Sequence, residues 1–323
     1  MPINNFRAES NNAISDLNFI RIHLNFSDTE ELTCSAILND FWFIGNGSNS
    51  APRLLRYEFN KIIEEIPAPF NPLSLLGVND RLVLGCANPG ASNRGLYTSD
   101  SNGDVWTERI PQVSPRSLAT NFNGVIVAAV NDNFFYRSTN NGDTWGQVFF
   151  PTNDELTIAE LQAIRFYVDQ NTFVFLTDNE AGPVIFVSED GASNWIRVDS
   201  FGPVDPGELK SQAVFLGRLY VGSSTSLFSM ALDGSGVIDH TPRLWYNLPS
   251  SNTQINSLFV FNELLYVFIE AQAIMYSDDG INFKPCGIPI SDESSSNPWG
   301  VLFDFSGDLY SAYGTNIYQT LPK

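Results

Sequence analysis

The segment Ser138-Thr-Asn-Asn-Gly-Asp-Thr-Trp145 carries the features that decide the fold of this chain. A serine ends an apolar run, an amide and a glycine follow, and a tryptophan opens the next run. Asn and Asp accept hydrogen bonds from turn amides, Gly adopts a positive φ, and an aromatic ring fills the space beneath a hairpin. Three other stretches repeat this pattern: Ser99-Asp-Ser-Asn-Gly-Asp-Val-Trp106, Ser188-Glu-Asp-Gly-Ala-Ser-Asn-Trp195 and Ser277-Asp-Asp-Gly-Ile-Asn-Phe283. The pattern predicts four copies of one tight turn between two strands.

A second kind of short polar turn occurs seven times between apolar runs. These turns fall at Asn39-Asp40, Asn79-Asp80, Asn123-Gly124, Gln170-Asn171, Leu216-Gly217, Asn262-Glu263 and Gly307-Asp308. Counted from the second residue of each, successive turns are 40 to 47 residues apart. The runs that follow, such as 125–129, are continuously apolar, which indicates strands buried on both faces. A period near 45 residues with several short strands in each unit is typical of a propeller blade.

The sequence therefore predicts an all-β fold consisting of one β-propeller over residues 1–323. We expect seven blades, with a six-bladed ring as the alternative if the first or fifth unit, which lack the longer turn, is an excursion. Residues 1–16 are predicted as an N-terminal arm and residues 17–26 as a strand that completes the last blade and closes the ring. The blades are predicted near residues 35–66, 73–110, 118–150, 163–198, 210–248, 255–290 and 299–320.

The four long turns resemble the Asp-box, or BNR repeat, whose pattern is Ser-x-Asp-x-Gly-x-Thr-Trp. The copy at 138–145 is close, with Asn140 in the Asp position, whereas Ser101 takes that position in the first copy. The third copy shifts its glycine, and the fourth is one residue short. The resemblance is to the superfamily that includes sialidases and photosystem II assembly factors. It implies a structural role for Ser99, Gly103, Trp106, Ser138, Asn140, Gly142, Trp145, Ser188, Asp190, Trp195, Ser277, Asp279, Gly280 and Phe283.

The resemblance does not extend to catalytic motifs. Sialidases use three convergent arginines, a Tyr-Glu pair and an acidic Asp, but the context of Arg21 here is Phe-Ile-Arg-Ile-His rather than Arg-Ile-Pro. No Gly-rich phosphate loop is present, so a nucleotide enzyme has no support. We predict no catalytic residues. A glycoside hydrolase stays an alternative, because two carboxylates at a suitable separation can occur among 36 acids.

Charge and composition narrow the classes of partner. Lys and Arg total 17 and Asp and Glu total 36, which gives a net charge of −19. Such a surface repels nucleic acid and anionic membranes. The three cysteines lack a CxxC spacing and there are two histidines, so neither a metal site nor a cofactor is predicted. We expect the cysteines to be partly buried free thiols.

Three polar loops, at residues 45–52, 86–94 and 290–299, are predicted to lie on one face of the ring, opposite the Asp-box turns. Their amide, Arg and Trp side chains suit a partner loop or a carbohydrate, although plain solvated loops have the same composition. The candidate binding residues are Asn46, Asn49, Asn88, Arg94 and Trp299.

These observations favour a non-catalytic binding or structural protein. The N-terminus lacks a secretory signal and no apolar run reaches 18 residues, so we expect synthesis in the cytoplasm without membrane insertion. The propellers that the chain resembles are mostly exported. We therefore expect a bacteriophage virion component, such as a tail, fibre-associated or capsid-decorating protein. Its expected partners are other virion or assembly proteins, and a host-surface glycan is a further candidate partner. An intracellular assembly factor resembling the photosystem II proteins is the alternative.

Overall fold

A computed structural model of the chain describes residues 19–22, 32–39, 41–46, 52–58, 61–87, 94–121, 123–130, 134–149, 165–169, 171–179, 182–202, 204, 207–242, 254–269, 273–285, 301–305, 308–313 and 316–320. Within them, 28 β-strands form seven four-stranded sheets. Every strand pair is antiparallel, for example Ser117–Thr120 with Ile126–Ala129 and Ile255–Phe261 with Leu264–Ile269. The prediction of an all-β fold is confirmed.

The sheets take their strands in chain order. Sheet 1 contains β2 (Leu32–Leu38), β3 (Phe41–Asn46), β4 (Arg53–Glu58) and β5 (Lys61–Pro67); sheet 2 contains β6 (Pro72–Val78), β7 (Arg81–Cys86), β8 (Gly95–Ser99) and β9 (Thr107–Pro111); sheet 3 contains β10 (Ser117–Thr120), β11 (Ile126–Ala129), β12 (Phe134–Ser138) and β13 (Gly146–Phe149). Sheet 4 contains β14 (Arg165–Asp169), β15 (Thr172–Asn179), β16 (Gly182–Ser188) and β17 (Ile196–Val198); sheet 5 contains β18 (Leu209–Phe215), β19 (Arg218–Ser223), β20 (Leu227–Met230) and β21 (Ile238–Asp239); sheet 6 contains β22 (Ile255–Phe261), β23 (Leu264–Ile269), β24 (Ala273–Ser277) and β25 (Lys284–Pro285).

Sheet 7 combines the two ends of the described chain. It contains β26 (Val301–Phe305), β27 (Asp308–Tyr313) and β28 (Asn316–Thr320), together with β1 (Phe19–Ile22). β1 pairs with β28 so that Phe19 lies opposite Thr320 and Ile22 opposite Ile317. Residues 1–16, predicted as the N-terminal arm, lie outside the described residues.

In sheets 1, 2, 5 and 6 the first hairpin is closed by a two-residue turn that contains at least one residue at positive φ. Leu38 pairs with Phe41 across a two-residue turn in which Asn39 has a φ of 51°. In sheet 6, Phe261 pairs with Leu264, and the turn residues Asn262 and Glu263 have φ values of 48° and 60°. Two positive φ values match the type I′ turn that suits the twist of paired strands. The recurring polar turns of the sequence therefore mark the joints between first and second strands.

The core consists of layers between sheets. Five clusters of buried side chains each combine residues of two consecutive sheets, from sheets 1 and 2 through to sheets 5 and 6. Second strands are buried on both sides, as in β7, where Leu82, Val83 and Leu84 are fully buried. First strands of successive sheets are in contact from β2 and β6 through to β22 and β26. The sheets therefore stack side by side in chain order.

Close approach of neighbouring sheets depends on a small residue opposite a glycine. Ser74 pairs with Gly85, and the Ser74 hydroxyl donates a 2.8 Å hydrogen bond to the carbonyl of Pro115 in the segment leading to sheet 3. A Cβ added at Gly85 would lie 2.5 Å from that carbonyl oxygen. Sheet 5 repeats the arrangement, since Ser211, opposite Gly222, donates to the carbonyl of Ile255 at 3.0 Å.

Candidate functional site

The two ends of the sheets carry different kinds of connection. We call the end with the turns between third and fourth strands the turn face; the four Asp-box-like turns at 99–106, 138–145, 188–195 and 277–283 lie there, beside the first hairpin turns. We call the opposite end, with the connections between second and third strands, the loop face. The sequence predicts structural residues on the turn face and candidate binding residues on the loop face.

The serine that leads each turn is buried and hydrogen-bonded within the turn. In three copies its hydroxyl accepts from the main-chain N–H four residues later: Gly103 N to Ser99 Oγ at 2.9 Å, Gly142 N to Ser138 Oγ at 2.9 Å and Ala192 N to Ser188 Oγ at 3.0 Å. In the fourth, the Ser277 hydroxyl donates to Asp279 Oδ1 at 3.0 Å. A buried hydroxyl needs such a partner, because an unpaired one costs about 1–3 kcal/mol.

The residue at the acidic position accepts main-chain N–H groups of the turn. Asp190 Oδ1 accepts from Asn194 N at 2.9 Å and from Ser193 N at 3.1 Å. Burial raises the pKa of Asp190, but the hydrogen bonds from Asn194, Ser188 and Ser193 outweigh it and lower the pKa to about 2. The pKa of Asp279 is lowered for the same reason, with Asn282 and Ile281 as main-chain donors.

In the other two turns, neutral side chains accept the main-chain N–H hydrogen bonds that Asp190 and Asp279 accept. Asn140 Oδ1 accepts from Thr144 N at 3.0 Å, and Ser101 Oγ accepts from Val105 N at 2.9 Å. A charge is therefore not needed at this position for the turn to form. These side-chain oxygens accept hydrogen bonds from the turn's own N–H groups. Their role in this geometry is to stabilise the turn.

The aromatic residue that ends each turn packs against a neighbouring sheet. Trp195 is buried with its ring 5.2 Å from that of Phe135 at 77°, which joins sheet 4 to sheet 3. Phe283 belongs to the cluster between sheets 5 and 6. Trp106 and Trp145 are half-buried, and Trp145 Nε1 donates to the carbonyl of Gly142 at 2.9 Å. These rings cover apolar core at the turn face.

Each turn also presents one main-chain carbonyl to a donor of the preceding sheet. The donors and acceptors are Arg56 Nη1 to Asn102 O at 3.3 Å, Arg81 Nη1 to Asn141 O at 2.9 Å, Arg137 Nε to Gly191 O at 2.8 Å and Tyr220 OH to Gly280 O at 3.1 Å. All four acceptor residues have positive φ. The four predicted turns are thus separate joints between consecutive sheets and do not converge on a shared site.

On the loop face the structure describes two of the five candidate binding residues. Asn46 ends β3 and Arg94 precedes β8, so both lie at this end of sheets 1 and 2. Arg94 is exposed, and its carbonyl accepts from Gln112 N at 2.9 Å, which fixes the backbone beneath the side chain. Asn49, Asn88 and Trp299 lie outside the described residues.

Sequence analysis missed polar residues buried at the loop-face ends of two first strands. Lys210 of sheet 5 is 7% exposed, and its Nζ lies 2.5 Å from Glu208 Oε2. Asn256 takes the corresponding place in sheet 6 and is also buried. A buried charge is tolerated only with a partner. The signal was present as polar residues within the apolar stretches Leu209–Phe215 and Ile255–Phe261.

A serine–histidine pair was also missed. Ser229 Oγ and His240 Nε2 are 2.9 Å apart, and Arg218 Nε donates to the same hydroxyl at 3.1 Å. Arginine can only donate, so the Ser229 oxygen accepts from Arg218, and the direction of its hydrogen bond with His240 Nε2 depends on the histidine tautomer. Both side chains are buried, and the His240 ring stacks on Tyr220 at 5.4 Å. This geometry packs sheet 5 against sheet 6 and gives no access to a substrate.

The described residues contain no group of three His, Cys, Asp or Glu side chains that could hold a metal ion. Within the same part of the chain, no helix has the length and apolarity needed to cross a membrane.

Known proteins resemble this chain in structure alone. No protein-family profile matches the sequence, and no curated protein sequence matches it. Virginiamycin B lyase from Staphylococcus aureus superposes with a TM-score of 0.70 at 13% identity, covering 95% of this chain and 100% of the lyase. YCF48 bound to D1 peptide gives 0.71 at 13% identity, covering 96% of this chain and 98% of YCF48. The extracellular domain of BT4673 from B. thetaiotaomicron gives 0.66 at 14% identity, covering 94% of this chain and 40% of that one.

At such low identities the likeness concerns the fold and not the activity. The lyase and YCF48 are β-propellers, so the predicted propeller architecture is confirmed. The neighbours include both an enzyme and proteins whose names describe no reaction.

Proposed function

We propose that this chain is a non-catalytic, seven-bladed β-propeller whose loop face binds another protein. In this proposal sheets 1 to 7 are the seven blades, and β1 closes the ring as the outer strand of the last blade. The Asp-box reading of the four turns belongs to the same proposal, with the residues named above as structural parts of each blade.

One observation carries the assignment of the binding face. Three carboxylates of the turn face are directed at the chain itself: Asp143 contacts Arg81 at 2.7 Å, Asp104 contacts Arg56 at 3.2 Å, and Asp190 is bonded within its own turn. On the loop face, by contrast, Arg94 is exposed and makes no ion pair within the described part of the chain. Exposed arginines on rigid supports are favoured in protein interfaces.

The structural neighbours support a binding role by analogy. The YCF48 propeller is known in complex with a peptide, and the BT4673 propeller is part of an extracellular domain. Because the identities are 13% and 14%, the partners of those proteins are not transferred to this chain.

For the biological setting we keep the hypothesis of a bacteriophage virion component: a tail, fibre-associated or capsid-decorating protein contacting other virion or assembly proteins. Its support is the strongly acidic composition. A host-surface glycan is the second candidate partner. Quantitative proteomics of density-gradient fractions from the native source tests it: a fixed ratio to capsid protein supports it, and absence from purified particles refutes it.

An intracellular assembly factor is the alternative that the likeness to YCF48 favours. A glycosidase is a second alternative with less support. Incubation with fluorogenic aryl glycosides tests it, because a glycosidase would release the fluorophore.

The binding face is tested by cross-linking the protein to its partner in the native source and comparing the amount of partner captured by the wild type and by Arg94→Glu. We expect Arg94→Glu to lose most of the captured partner. Lys284→Glu, which reverses an exposed charge on the turn face, is the matched control and should keep it. Equal loss in both variants, or none in either, would remove the loop face from the proposal.

A further inference from the structure

Four uncharged side chains lie together on one side of sheet 3 at its outer edge. Phe134 pairs with Phe149, and Tyr136 with Gln147, across the β12–β13 ladder. Directly opposed residues, and residues two apart on a strand, project from the same side of a sheet. We call Phe134, Tyr136, Gln147 and Phe149 the rim platform.

The rings of the rim platform are in mutual contact. The Phe134 and Phe149 centroids are 5.7 Å apart at 62°, and those of Phe134 and Tyr136 are 5.3 Å apart at 88°. Gln147 Nε2 donates to the Tyr136 hydroxyl at 3.3 Å. Tyr136 also packs against the buried cluster shared by sheets 2 and 3. The platform is therefore held in place from below.

The outer ring of this platform is in solvent. Phe149 is 62% exposed on β13, the last strand of sheet 3. The opposite side of the same hairpin differs, since Phe135 and Val148 pack into the cluster between sheets 3 and 4. Leaving a phenylalanine in water forgoes the burial that favours folding. An exposed aromatic ring supported by two further rings is available to stack on a ligand.

The charges of the platform and of the whole chain limit which class of ligand can bind there. The platform itself is neutral, and Arg109 of sheet 2 and Asp143 of sheet 3 are paired with each other at 3.2 Å towards the turn face. A second copy of the chain would bring another net charge of −19 against the first, and nucleic acid or anionic lipid would be repelled in the same way. A cationic peptide would be attracted by the overall field but would meet no carboxylate among the platform side chains.

With charged ligands disfavoured, the aromatic rings, the phenol and the amide of the platform suit an uncharged ligand that has one apolar face and hydrogen-bonding groups at its edge. A pyranose ring has this form: its C–H face stacks on an aromatic ring, and its hydroxyls bond to amide and phenol groups. We propose that the rim platform binds a neutral hexose-based saccharide, stacked on Phe149 and hydrogen-bonded to Gln147 and Tyr136. The Phe134–Phe149 pair lies at the loop-face end of sheet 3 but does not include Arg94 of sheet 2, so Phe149→Ala and Arg94→Glu test the two proposals separately.

Saturation-transfer NMR of the full chain tests the proposal, with maltohexaose, cellohexaose and N-acetylchitotetraose as probes. We expect transfer from at least one of them in the wild type. Phe149→Ala should weaken binding about fivefold to tenfold, and Gln147→Leu should weaken it while leaving the apolar surface intact. Ile196→Ala is the matched control, because Ile196 is 51% exposed on the last strand of sheet 4. It should bind like the wild type. Thermal melting verifies that all variants are folded.

Three results would overturn the proposal. The first is no transfer from any of the three saccharides. The second is binding that Phe149→Ala leaves unchanged or that Ile196→Ala weakens equally. The third is a wild-type dimer in sedimentation velocity that Phe149→Ala converts to a monomer, which would identify a second copy as the occupant.

Discussion

Arg81, at the start of the second strand of sheet 2, donates a 2.9 Å hydrogen bond to the main-chain carbonyl of Asn141 in the turn of sheet 3. The same guanidinium contacts Asp143 at 2.7 Å and Asp100 at 2.5 Å, so one side chain joins two consecutive turns. Hydrogen bonds to Asp100 raise the pKa of Arg81 and lower that of Asp100, as expected for a charge-assisted pair. Beside it, Asn79 Nδ2 donates to Asn141 Oδ1 at 2.7 Å. The turn is thus a joint between sheets as well as a hairpin.

Replacing Arg81 by methionine tests this joint. We expect the free energy of unfolding to fall by about 1–3 kcal/mol, because the Asn141 carbonyl and two carboxylates lose a charged donor. Urea unfolding followed by tryptophan fluorescence measures it. Lys284→Met is the control: its ion pair with Asp278 is exposed and 3.8 Å long, and it should cost less than about 0.5 kcal/mol. Equal losses in the two variants would contradict the prediction.

Acid should weaken the turns that contain Asp190 and Asp279. The pKa of each is lowered in the folded chain, to about 2 for Asp190, so the stabilisation is complete above the unfolded value near 4 and is lost as the pH falls towards 2. We expect Asp190→Asn, which imitates Asn140, to reduce the fall in melting temperature between pH 4 and pH 2. Differential scanning calorimetry at fixed ionic strength measures this. An unaltered pH dependence would show that this carboxylate does not stabilise the fold.

Gly85 should not tolerate a side chain. A Cβ there would lie 2.4 Å from Ser74 Oγ and 2.5 Å from Pro115 O, so Gly85→Ala must push sheets 2 and 3 apart. We expect a loss of about 2–4 kcal/mol or failure to fold. Gly146, near whose Cβ position no atom lies within 4 Å, is the control, and Gly146→Ala should be close to neutral. Thermal melting compares the stability of the two variants. A Gly85→Ala variant that melts at the same temperature as the wild type would refute the close approach of the two sheets.

Cys34 and Cys86 should be unreactive in the native state. Burial raises the pKa of Cys34 to about 12 and raises that of Cys86 further, so both stay protonated at pH 8, and the thiolate is the reactive form. In a Cys286→Ser background, we expect no reaction with a colorimetric disulfide reagent before denaturation and two equivalents after it. Fast labelling of the native protein would contradict the prediction.

The local part of this architecture was readable from the sequence, because its contacts join residues within a few positions of one another. Ser138, Asn140 and Gly142 are bonded within their own turn, so their order along the chain already specifies the hairpin. The 40–47-residue spacing of the other turns then predicts repeated small sheets, and the continuous apolar runs predict strands covered on both sides. The blade boundaries and the Asp-box assignment stay predictions.

Only the tertiary structure decided which of the other polar and aromatic residues act together. Nothing in the sequence distinguishes Arg81, 60 residues from its acceptor Asn141, from an arginine in solvent. Lys210 and Glu208 form their ion pair where a first strand is buried, and Phe149 is exposed on the last strand of its sheet. Hydrogen bonds within a turn follow from residue order, whereas contacts between sheets depend on how the sheets stack.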